Sequence, residues 1–90
     1  MNIVIMGKRF SLEYTNQMPD ADTDGLCDSP TTIGKKIKVR RSLEDLRRLE
    51  IEIHEMTHAA DWYKDEEWID QFAKDISAAL WRIGYRLTKG

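Results

Sequence analysis

From Leu43 to Ala60 apolar residues return at three- and four-residue steps, through Leu46, Leu49, Ile53 and Met56, so this stretch reads as a helix with one face against the rest of the molecule. Ser42 followed by Asp45 supplies a variant of the capping box, and the helix is expected over roughly 43–62. A second helical period follows almost at once. After Asp61-Trp62-Tyr63-Lys64, Asp65 can cap a helix running to about Leu87, with Ile69, Phe72, Ala73, Ile76, Leu80, Ile83 and Leu87 as its stripe. Arg82, Arg86 and Lys89 suit the dipole at its end. Two helices joined by so short a link fold back on each other, so a helical hairpin with arms at 42–63 and 65–88 is predicted.

The first part of the chain, 1–41, carries the other period. Asn2 to Met6 is rich in β-branched residues, and Arg9 to Thr15 alternates Phe10, Leu12 and Tyr14 with polar residues; Gly7-Lys8 between them reads as a hairpin turn. From Asn16 to Gly34 the residues turn to Pro, Asp, Gly, Ser and Thr, which predicts a long loop. Lys36 to Arg40 alternates charge with Ile37 and Val39, giving a short third strand that runs into the first helix. Ninety residues leave no space for a second lobe, so the expectation is one α+β domain over 1–90. Its architecture is a small three-stranded antiparallel sheet packed on a two-helix hairpin.

Charge and composition remove several functional classes. A net charge of −2 argues against general nucleic-acid binding, and Lys35, Lys36, Lys38, Arg40 and Arg41 read as solvated residues of a strand. Cys27 is the only cysteine, so no intramolecular disulfide is possible and a reducing compartment is expected. The run Ile3-Val4-Ile5-Met6 is shorter than a signal-peptide core and no segment approaches the length of a membrane span, so a cytoplasmic protein with no membrane partner is expected. Trp62, Trp68 and Trp81 read as core or rim packing.

The chemistry concentrates in His54-Glu55-Met56-Thr57-His58, which holds both histidines of the chain. Residues i and i+4 stack on one helix face, so the two imidazoles can turn a nitrogen toward one metal ion, while Glu55, about 100° round the helix, is placed to act on water beside it. This is the H-E-x-x-H arrangement of zinc hydrolases. A catalytic zinc needs a third protein ligand, and no third histidine exists. The choice is Glu66, which lies nearer the apolar stripe of the second helix than Glu67 does. Asp70, at i+4 from Glu66, could accept the other ring N–H of a ligating histidine. A tight hairpin would instead set His58 level with residues 69 to 70 and favour Asp70 as ligand. Asp61 shares the helix face of His54, and Cys27 could reach the metal if the loop folded over the helix.

With a strand before it and Ala59 after it, this pentapeptide resembles the zincin superfamily of metallopeptidases, and in particular its gluzincin branch. Gly25-Leu26-Cys27-Asp28 and Lys36-Ile37-Lys38-Val39 ahead of the helix resemble the SprT-like minimal peptidases and small phage-encoded H-E-x-x-H proteins. Glu66 with Phe72-Ala73 is similar to the spacing in the ImmA/IrrE peptidases. The resemblance implies a zinc ion on His54, His58 and Glu66, with Asp70 behind the ligands. It also implies peptide-bond hydrolysis by metal-activated water, with Glu55 as general base and a peptide or protein as substrate. The strand beside the helix is the expected edge for pairing with an extended substrate. The alternatives are a zinc-stabilised, non-catalytic binding module and a metal-free partner-binding protein.

Overall fold

A computed structural model describes residues 1–87, so the predicted helix end at 88 and the role of Lys89 lie outside the described residues. Strands β1 (Asn2–Ile5) and β2 (Lys8–Thr15) form an antiparallel hairpin with Ile5 opposite Lys8. The turn is Met6-Gly7, one residue earlier than predicted, and both residues have positive φ, 50° and 75°, as a two-residue turn between twisted strands requires. The predicted loop is not all loop. It contains β3 (Gly25–Cys27), and β4 (Lys36–Arg40) follows.

The sheet has four strands in the order β1-β2-β4-β3. β4 runs parallel to β2, with Leu12 opposite Ile37, and antiparallel to β3, with Gly25 opposite Val39. The α+β class therefore holds, while the three-stranded antiparallel sheet is corrected to a four-stranded mixed one. The reason lies in the segment between Thr15 and Lys36, which is long enough to carry the chain back across the sheet, as parallel pairing demands. Arg40 organises that crossing. Its Nη2 donates to the carbonyls of Asp20 and Thr23, each at 2.7 Å, and its Nε faces Asp24 Oδ1 at 3.3 Å. Arg40 is thus a structural anchor and not a solvated charge, whereas Lys36 pairs with Glu13 at the surface, 3.1 Å apart.

Helix α1 spans Asp45–Ala60, shorter at both ends than predicted. Glu44 occupies the N-cap without a side-chain bond, and the Ser42 main-chain N–H donates to Asn16 Oδ1 at 3.1 Å, so the capping box does not form. Helix α2 spans Glu66–Arg82, and the Asp65 side chain caps it as predicted, accepting from the Glu67 N–H. It stops short of Leu87 because Gly84, at φ 107°, takes the chain out of the helix, which leaves Ile83 and Leu87 exposed.

Phe10, Leu12, Ile37 and Val39 of the sheet meet Ile51 and Ala59 of α1 in the core, each fully buried large side chain contributing roughly 1.5–3 kcal/mol. Among the described residues α2 packs on α1 and not on the sheet, turning Ile69, Ala73 and Ser77 inward. Helix α1 is therefore a middle layer. Its most buried line is Ile51, Glu55 and Ala59, one helical turn apart, so the motif glutamate faces the sheet while His54 and His58 flank it, half-buried. None of the three tryptophans is buried: they pack at rims, with Trp68 stacked on Phe72 and Arg86 lying on Trp81. No helix of the described residues is long and apolar enough to cross a membrane.

Candidate metal centre

The one-turn spacing on α1 places the Nε2 atoms of His54 and His58 3.2 Å apart. Glu66, the first residue of α2, reaches back across the hairpin: its Oε1 lies 3.0 Å from His54 Nε2 and its Oε2 2.9 Å from His58 Nε2. Two imidazole nitrogens and a carboxylate are the donor set of a zinc site. Donors about 2.0–2.1 Å from a tetrahedral ion sit about 3.3 Å from one another. The observed separations are close to that spacing, and these three side chains form the potential metal-binding group found among the described residues.

The surroundings of His58 favour the neutral form that ligation needs. Burial holds the His58 pKa below its ordinary value; Glu66 pulls it back up and His54 adds to the lowering, and the net shift favours the neutral ring. Glu55 is 6% exposed. Burial first, and the charge of Glu66 second, push its carboxyl up to about 7. His54, Glu55, His58 and Glu66 open on a cleft of about 280 Å³ lined also by Trp62 and all three residues of β3.

The other candidates stand apart from the cluster. Asp70 Oδ1 is 4.0 Å from His54 Nδ1, the ring nitrogen turned away from Glu66, and its Oδ2 accepts from Lys74 Nζ at 3.0 Å. It thus lies on the side of His54 expected of a supporting carboxylate, beyond hydrogen-bond length. Asp61 is the C-cap of α1, with its N–H donating to the Thr57 carbonyl at 3.0 Å, and it lines a different groove. Cys27 lines the same cleft, but its sulfur is not among the converging atoms. Its S–H donates to the Asp28 carbonyl at 3.3 Å, and burial, then the charges of Glu55 and Asp28, push the thiol up to about 12.

The edge strand is corrected as well. β4 is paired on both sides, so the strand expected to offer a free edge is interior; the edge beside the cluster is β3. Asp24 accepts from the Arg40 N–H at 2.8 Å and Asp28 donates to the Lys36 carbonyl at 2.9 Å. By the alternation of an antiparallel ladder, Gly25 and Cys27 then turn their own N–H and C=O outward, away from β4. Sequence reasoning missed Gly25 and Trp62 as cleft residues. The apolar pair Leu26-Cys27 directly after Gly25 is the local sign of a strand there, and at two residues it is too short to stand out. Comparison with protein-family models, curated proteins and solved structures finds no match for this chain.

Proposed function

We propose that the chain is a zinc-dependent peptidase of the H-E-x-x-H class, similar to the gluzincins, with Glu55 as general base. The observation that carries this reading is the convergence of His54 Nε2, His58 Nε2 and a Glu66 oxygen in the cleft that also holds Glu55. His54, His58 and Glu66 would hold the zinc. An ion bound there supplies Lewis acidity, lowering the pKa of water toward neutrality and polarising a carbonyl. Glu55, titrating near neutrality, takes a proton from water attacking the peptide carbonyl and returns it to the leaving amine. The outward N–H and C=O groups of Gly25 and Cys27 pair with the main chain of an extended substrate, which suits recognition of a peptide whatever its side chains.

The test is the hydrolysis of a mixed peptide library by zinc-loaded protein and by the Glu55→Gln variant, with zinc content measured in both. The variant is expected to keep its zinc and lose about 10²–10⁴-fold in turnover. Equal turnover in the two proteins would overturn the mechanism, and stoichiometric zinc without hydrolysis in the wild type would leave a structural metal site.

A further inference from the structure

The glycine at position 25 is not there for its backbone. Gly7, Gly34 and Gly84 have positive φ, but Gly25 does not, so a side chain is conformationally permitted. What forbids one is space. A Cβ at position 25 would lie 2.7 Å from Glu55 Oε2, 2.8 Å from Glu55 Cγ and 2.7 Å from Ile51 Cγ2, well inside van der Waals contact.

The strand and Ile51 are both held. β3 is paired with β4, and Asp24, the residue before Gly25, is tied to β4 by Arg40 at 3.3 Å and to α1 by Arg47 at 2.9 Å. Ile51 is a buried member of the core. The remaining group is the Glu55 side chain, which a Cβ at position 25 would push away from the strand.

We propose that Gly25 is the positioning residue for Glu55: the edge strand closes on the glutamate at a distance only glycine permits and so fixes the carboxylate in the cleft beside His54, His58 and Glu66. The same residue turns its N–H and C=O to the free edge of the sheet. One glycine therefore sets the base on its Cα side and aligns an extended peptide through its main chain, which keeps the two in register. The catalytic part of this inference rests on the peptidase reading; the contact between Gly25 and Glu55 does not.

Two measurements on Gly25→Ala test it. In peptide hydrolysis by zinc-loaded protein, kcat falls about 100-fold or more with zinc content retained and KM changed less than about threefold, because a misplaced base costs turnover and not binding. In thermal unfolding without substrate, Gly25→Ala lowers Tm by roughly 5–15 °C. At least half of that loss disappears when Glu55 is also Ala, since two of the three close contacts go with its side chain and only the one to Ile51 remains. Should Gly25→Ala alone fail to fold, a folded Gly25→Ala/Glu55→Ala double variant supports the contact, and a double variant that fails while Glu55→Ala alone folds shows that Ile51 carries the collision and overturns it. Wild-type kcat in Gly25→Ala, or thermal losses that simply add, overturns the proposal. A wild type that binds zinc but hydrolyses nothing ends the peptidase reading and the catalytic role of Gly25 with it, while the thermal cycle still decides whether Gly25 seats Glu55.

Discussion

Glu55 makes the metal-free protein lose stability as pH rises, and the size of the effect follows from its burial. The carboxyl is displaced from its ordinary 4.5 to about 7, with desolvation the largest cause and Glu66 the second. Between those values the folded chain holds a proton that the unfolded chain has released, so each step up in pH favours unfolding. Below about 4.5 both states are protonated and the group contributes no difference; above about 7 the folded state carries a buried carboxylate. At about 1.4 kcal/mol per pH unit the displacement amounts to roughly 3 kcal/mol, a large share of the roughly 5–15 kcal/mol total of an ordinary domain. With the residue only 6% exposed, solvent screening does not reduce it appreciably. Glu55→Gln keeps the shape and removes the titration. Urea unfolding of both proteins in the presence of a chelator, from pH 4.5 to 8, should give a gap in favour of the variant that opens with pH and reaches roughly 3 kcal/mol. His58 acts in the opposite direction, because its lowered pKa removes stability as pH falls, but it is present in both proteins and cancels in the comparison. Parallel stability curves for the two proteins would refute the claim that Glu55 is held in a desolvated seat.

Away from that group the expectations are simpler. His58→Ala removes one of the two imidazole donors, so purified variant should retain less than about a tenth of the wild-type zinc by elemental analysis while its far-UV circular dichroism is unchanged; full zinc content would remove His58 from the ligand set. Tyr14→Phe deletes the hydroxyl that donates to Glu52, a carboxylate also met by Arg48, whose guanidinium lies 4.2 Å over the Tyr14 ring. A loss of about 1–3 kcal/mol in urea unfolding is expected, and a change below about 0.3 kcal/mol would show that this half-buried triad is not a tie between sheet and helix.

Helix periodicity revealed both helices and the two histidines because each signal is local: a turn of helix carries its own spacing, whatever surrounds it. The sheet was legible only in part for the opposite reason. Three residues of β3 carry too little alternation to stand out from a loop, and they are positioned by contacts between residues distant in sequence, the ladder to β4 and the Arg40 bonds to the segment just before them. The choice between Glu66 and Asp70 shows how much the end of one helix decides. With α1 running to 62 or 63, His58 would stand a full turn before the helix end, and the returning helix would present residues 69 to 70 beside it. In the structure α1 ends at Ala60, only two residues past His58, and α2 begins at Glu66, so the first turn of α2 comes level with the last turn of α1. That places the Glu66 carboxylate between the two Nε2 atoms and moves Asp70 one turn onward, to the far nitrogen of His54. Where α1 stops therefore selects between the two carboxylates: Asp61, at φ −142° and ψ 86°, leaves helical geometry while its N–H still makes the last helical bond, onto Thr57 within the motif itself. The residues that end the helix are in this way as much a part of the donor geometry as the donors, because one more turn of α1 would carry Glu66 beyond the reach of His58.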